Sequence, residues 1–204
     1  MSTTALYLTG AALVVLLGGR MLYSMVKLQG PRRVALFGDS LTGGPSYAAG
    51  LRSLLSNRSV VNAYSYPGKG SAFIRNRVFD VFTWAPTDIV VLAGVNDLAS
   101  GRPVSDVIEN LQEIYTEARA HGVRVVAVTL TPWSGHFRGA SCSGDTDVIN
   151  RWIQYQARDV DLVIRTADLG DSSGRLKSWF DSGDGLHFNA EGQEMLARLV
   201  WRAF

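Results

Sequence analysis

Five short runs rich in valine and isoleucine set the main constraint on this chain: VALF (34–37), VVNAYSY (60–66), DIVVLAG (88–94), VRVVAVTL (123–130) and DLVIRTADL (161–169). Near-continuous apolar runs of this length suit strands covered on both faces, as in a parallel sheet between helices. Helical stretches fill the intervals, at 45–57, 71–83, 104–121, 144–158 and 190–203. In the third of them Val107, Ile108, Leu111, Ile114, Tyr115 and Ala118 recur at helical spacing, while Glu109, Glu113, Glu117 and Arg119 point away. Such a helix turns one face to a sheet and a charged face to water. The alternation, with right-handed crossovers, predicts an α/β fold: a three-layer α/β/α sandwich on a five-stranded parallel sheet, with its crevice at the carboxyl ends of the strands.

The N-terminus has a different character. Thr4 to Gly19 carries no charge, and counting through Arg20 the apolar stretch runs 23 residues to Val26. At about 1.5 Å per residue a helix of that length spans the hydrocarbon core of a bilayer. The expectation is an N-terminal hydrophobic helix acting as a single-pass membrane anchor, with anchor and linker in 1–32 and a globular domain in 33–204. A cleaved signal peptide is the competing reading, but MSTT lacks Lys and Arg and no small-x-small site follows the run. The positive flank after the span favours a cytoplasmic body, a rule that single-span proteins often break, so the side of the membrane stays open.

Charge narrows the partners. Of the 20 Lys and Arg, four (Arg20, Lys27, Arg32, Arg33) lie in the first 33 residues, which hold no acid; residues 34–204 therefore carry 16 basic and 18 acidic residues, a net of −2. A body so balanced offers no cationic stripe for a phosphate backbone, which excludes nucleic acid as a partner. Cys142 is alone, so no intrachain disulfide or thiolate metal cluster can form. His121 and His136 form no metal-ligand pattern with acids, and neither a metal nor an organic cofactor is expected.

Chemistry-bearing residues gather at the predicted strand ends. After the first strand comes FGDSLTGG (37–44), which holds Ser40 on a glycine-flanked turn, either as a nucleophile or as a helix N-cap. After the second comes SYPGKGS, where Gly68 and Gly70 let backbone N–H groups approach a ligand; Phe73 stands where a dinucleotide fingerprint needs its third glycine. After the third, GVND (94–97) brings Asn96, an amide able to donate to an oxyanion, or else a turn residue. Near the C-terminus DGLH places Asp184 three residues before His187, so that a carboxylate can orient an imidazole, and Asn189 is set to cap the last helix.

These four blocks, in this order across residues 34–200, resemble the SGNH hydrolase superfamily, also called GDSL esterases and lipases. The resemblance implies a flavodoxin-like sheet order and an ester hydrolase. It further implies Ser40 as nucleophile, His187 as general base and Asp184 as its orienter. The oxyanion hole would be the N–H groups of Ser40 and Gly68 with the side chain of Asn96, Gly70 being the alternative to Gly68. Asp39 and Asp97 would brace their loops. The long loop 131–145 brings Trp133 and His136 as candidate substrate contacts. A small acyl group, such as acetyl on a carbohydrate, is the expected ester partner. The alternatives are a lysophospholipase or thioesterase acting on lipid at the membrane, a non-catalytic module that keeps the fold, and a flavodoxin-like nucleotide binder, which FGDSLTGG, lacking a phosphate-binding lysine, disfavours.

Overall fold

The computed structural model describes residues 15–17, 20–22, 31–55 and 58–204, and the chain divides into two units, 1–30 and 31–204. In the first unit β1 (Val15–Leu17) and β2 (Arg20–Leu22) pair antiparallel, with Leu17 opposite Arg20. Both strands fall inside the stretch expected to be a hydrophobic helix; the rest of that stretch lies outside the described residues. Among the described residues no helix is long and apolar enough to cross a membrane. The single-pass anchor and the membrane localisation read from the sequence are corrected accordingly. Hydropathy counts apolar residues without regard to backbone preference. Here the run carries the β-branched pair Val14-Val15 and is broken by Gly18-Gly19, and each glycine costs a helix interior about 1 kcal/mol.

The second unit holds a parallel five-stranded sheet of β3 (Arg33–Gly38), β4 (Val60–Ser65), β5 (Asp88–Leu92), β6 (Arg124–Val128) and β7 (Leu162–Ile164), in the order β4-β3-β5-β6-β7. All of β5 and all of β3 after Arg33 are buried, as the unbroken apolar runs require. Strand β4, at an edge, buries Val61 alone, in keeping with its more polar VVNAYS. The helices are α1 (Pro45–Leu54), α2 (Ser71–Arg75), α3 (Val78–Phe82), α4 (Val95–Ala99), α5 (Val104–Ala120), α6 (Ser143–Tyr155) and α7 (Ala190–Trp201). They pack as two groups, α1 with α7 and α5 with α2, α3 and α6. The buried stripe of α5 is Val107, Leu111, Ile114, Tyr115 and Ala118, joined by Asn110.

Two details depart from the sequence reading. The stretch 71–83 is two short helices with Asn76 and Arg77 between them, and α4 follows β5 directly although its five residues are too few to show a helical period. The sheet order reverses direction between β3 and β5, and such a switch point opens a crevice at the carboxyl ends of the two strands.

At that crevice β3 ends in a turn with no spare volume. A Cβ on Gly38 would sit 1.9 Å from the Leu92 carbonyl oxygen and 2.6 Å from Thr42 Oγ1. Asp39, next in line, is fully buried; its Oδ1 accepts from Leu41 N–H at 3.0 Å, and its Oδ2 has no hydrogen-bond partner among the described residues. Burial pushes its carboxyl up from 3.8 to about 7; the Leu41 N–H opposes that rise, the Asp97 charge adds to it and His187 offsets part of it. A carboxyl whose pKa is raised on folding stabilises most below its unfolded value and loses that contribution as pH climbs through about 7. Asp39→Asn cannot ionise, so its denaturation midpoint is expected to fall less than that of the natural protein between about pH 5 and about pH 8. Equal losses in the two proteins would contradict the assignment.

Candidate active site

The turn that follows Asp39 is a single 3-10 turn, Ser40–Thr42, capped by the Asp39 carboxylate. It is tied to β4, because Ser65 Oγ donates to the Asp39 carbonyl at 2.8 Å and Tyr66 N–H to the Gly38 carbonyl at 2.9 Å. Ser40 is thereby fixed at the switch point, directly beyond the end of β3.

His187 arrives from the C-terminal loop, 147 residues away, and its Nε2 lies 2.9 Å from Ser40 Oγ. Behind it His187 Nδ1 is 2.6 Å from Asp184 Oδ2. The second oxygen of Asp184 accepts from the N–H groups of Leu186 (3.0 Å) and His187 (2.8 Å), which curls the loop and aims the ring. Burial works to raise the Asp184 pKa, but the His187 ring and these two N–H groups outweigh it and hold the carboxyl at about 2. Asp184 is thus an anion throughout the neutral range, and with Nδ1 bonded to it the ring keeps its proton there and presents a basic Nε2 to Ser40. The loop is shaped by Asp181, which accepts from Gly183 and Gly185 N–H, and by Asn189, whose Oδ1 caps α7 through Gly192 N–H at 2.9 Å.

Gly94, with φ +126°, turns the chain from β5 into α4 and so presents Asn96. Asn96 Nδ2 donates to the Lys69 carbonyl at 3.1 Å; an amide nitrogen carries two hydrogens, so one holds the group in place and one stays free to donate. Asp97 ties the two loops together, accepting from Ser71 N–H at 2.7 Å and from Ser71 Oγ at 3.0 Å. Gly68 has φ +72° and open space where a Cβ would lie, whereas a Cβ on Gly70 would come 2.8 Å from Asp97 Oδ1. Gly68 therefore needs glycine for its backbone angle and Gly70 for its packing. Gly68 and Asn96 line one cavity together.

The structure thus brings Ser40, His187 and Asp184 into one chain of contacts and sets Gly68 beside Asn96. It does not bring Trp133 or His136 to the cavity at Ser40, whose walls include Leu41, Gly43, Ser65, His187 and Gln193. Trp133 is only 2% exposed, with Nε1 donating to Thr146 Oγ1 at 2.9 Å, and it lines a separate cavity with Thr146 and Asn150. His136 lies tilted against Phe137, with centroids 4.3 Å apart, and its loop meets the Asp184–His187 loop through backbone: a Cβ on Gly185 would lie 2.5 Å from His136 N. Sequence reading passed over Ser65 and Gln193; the signal for Ser65 was its place at the carboxyl end of a predicted strand.

The GDSL-like lipase/acylhydrolase family model matches residues 36–195. A lipase/acylhydrolase from Enterococcus faecalis superposes with a TM-score of 0.70 at 22% identity, covering 84% of this chain and 94% of its own. The acetyl xylan esterase AlAXEase gives 0.68 at 17% identity, covering 84% and 98%. These two likenesses are of fold. N-acylneuraminate cytidylyltransferase of Streptococcus agalactiae serotype III (strain NEM316) is 28% identical over 142 residues, 65% of this chain and 32% of that protein. The chain spans about a third of the length of the curated relatives it matches. Matched by the family model over most of its length, the chain belongs to the GDSL-like lipase/acylhydrolase family.

Proposed function

We propose that the domain beginning at Arg33 is a serine esterase that removes a small acyl group, such as acetyl, from a carbohydrate. The observation that carries this reading is the contact chain from Ser40 Oγ to His187 Nε2 (2.9 Å) and from His187 Nδ1 to Asp184 Oδ2 (2.6 Å). Ser40 Oγ attacks the ester carbonyl carbon while its proton passes to His187 Nε2, and the resulting imidazolium is balanced by the Asp184 carboxylate. The charge that develops on the carbonyl oxygen is received by the N–H groups of Ser40 and Gly68 and by the free hydrogen of Asn96 Nδ2. His187 then returns its proton to the leaving alcohol. Water, deprotonated by the same nitrogen, cleaves the acyl-serine and releases the acid.

The carbohydrate half of the reading draws on the cavity at Ser40, about 380 Å³, where the polar groups of Ser65 and Gln193 and the backbone of Gly43 and Gly44 share the walls with Leu41, Pro67 and Phe188. The Ser65 hydroxyl and the Gln193 amide give sugar hydroxyls hydrogen-bond partners there. Two of the similar proteins are named for saccharide chemistry, an acetyl xylan esterase and an N-acylneuraminate enzyme. The lipid alternative drew on a membrane-tethered chain, and that support has gone with the anchor.

Ser40→Ala and His187→Ala are each expected to lower kcat on p-nitrophenyl acetate and on an acetylated xylo-oligosaccharide by about 10³-fold or more. Either variant turning over near the rate of the natural enzyme would end the assignment. Asn96→Ala is expected to cost about 10²- to 10³-fold in kcat with KM little changed, since its hydrogen bond strengthens only as the oxyanion forms. A change confined to KM would assign Asn96 to ground-state binding instead.

A further inference from the structure

The oxyanion side of the site opens into a second cavity of about 390 Å³, whose walls include Gly68, Phe73, Asn96, Arg102 and Asp106. The serine chemistry makes no use of Arg102. Its backbone N–H is anchored on the Asp97 carbonyl at 2.9 Å, so the residue is held immediately past α4. Among the described residues its guanidinium has neither a hydrogen bond nor an ion pair. Arg32 and Arg124 pair with Asp88, Arg75 with Glu113 and Arg119 with Asp161, whereas Arg151, Arg198 and Arg202 share with Arg102 a guanidinium without such a partner among the described residues; what sets Arg102 apart is its place in the wall shared with Gly68 and Asn96.

A second cation reaches this region through Phe73. Lys69 lies between Gly68 and Gly70, its carbonyl holds Asn96, and its Nζ is 5.2 Å from the centroid of Phe73, an aromatic of the same cavity. Two carboxylates oppose these charges. Asp97 is buried with both oxygens committed to Ser71, whereas Asp106, engaged only by Ser105 Oγ at 3.3 Å, is exposed in the cavity wall.

We propose that this cavity is a specificity subsite for a carboxylate on the sugar, so that the preferred substrate is an acylated acidic sugar read by Arg102, with Lys69 adding to the field and Asp106 tempering it. A guanidinium fork matches a carboxylate through two parallel N–H donors, and a free fork on the oxyanion side meets the substrate while its ester carbonyl is being held. The proposal rests on Ser40 as nucleophile and on a sugar ester as substrate.

The test uses the full chain and a matched pair of probes, O-acetylated N-acetylneuraminate and the same compound with its C1 carboxylate converted to a carboxamide. At low salt the natural enzyme is expected to show kcat/KM about tenfold higher on the acid than on the amide, the size of one good charged contact. Arg102→Gln is expected to bring that ratio toward one, Asp106→Asn to raise it, and added salt to lower it in the natural enzyme. A ratio near one in the natural enzyme, or an unchanged ratio in Arg102→Gln, overturns the subsite. So does failure to cleave either probe while p-nitrophenyl acetate is turned over. A preference for p-nitrophenyl hemisuccinate over the acetate, with none between the sugar probes, would put the carboxylate on the acyl half and overturn it too. Ser40→Ala separates the two levels: an active variant removes the nucleophile reading itself, while an inactive variant together with a flat acid-to-amide ratio in the natural enzyme removes the subsite alone.

Discussion

The site depends on how closely the end of β5 approaches the turn after β3. With no room for a Cβ at Gly38 beside the Leu92 carbonyl, the two central strands can end side by side and send their following residues into one crevice. Asp39 continues the constraint. Its carboxyl caps the next turn, its carbonyl is held by Ser65, and Ser40 then has one place to go. A larger residue at position 38 would separate the strand ends, and with them the serine and Asn96.

Electrostatics complete what packing begins. Asp184 is kept ionised by a ring and two backbone N–H groups, which lets a partly exposed His187 sit in a fixed orientation without burial. Asp39 is the opposite case, a carboxyl driven toward neutrality by burial, next in the chain to Ser40. Ser40 therefore has on one side a carboxylate that orients His187 and on the other a carboxyl whose charge is suppressed. Around Gly68 and Asn96 the cavity wall carries Arg102 beside Asp97 and Asp106, and the Lys69 carbonyl holds the Asn96 amide.

Much of this was legible in the sequence because parallel strands buried on both faces leave unbroken runs such as DIVVL and VALF, and because GDSL, GVND and DGLH each follow a predicted element end. The meeting of Ser40 with His187 across 147 residues was legible only through the order of those blocks. What was not legible has physical causes. Aromatic content cannot tell which cavity a ring will line, and Trp133, bonded to Thr146, lines one other than that at Ser40. Apolar length cannot tell a helix from a strand pair, so residues 15–22 were read as part of an anchor. An exposed arginine past a five-residue helix leaves no periodic trace, and Arg102 became visible only when its cavity and its unmet donors were placed in space.

The central claim is that Ser40 is the nucleophile, and covalent capture tests it most directly. A fluorophosphonate transfers its phosphonyl group to an activated serine oxygen with loss of fluoride, so the adduct records which oxygen attacked. The account predicts one adduct by mass spectrometry after trypsin digestion, on the peptide Val34–Arg52, with fragment ions placing it on Ser40 and not on Ser46. Label on another residue, or label that persists in Ser40→Ala, would contradict it.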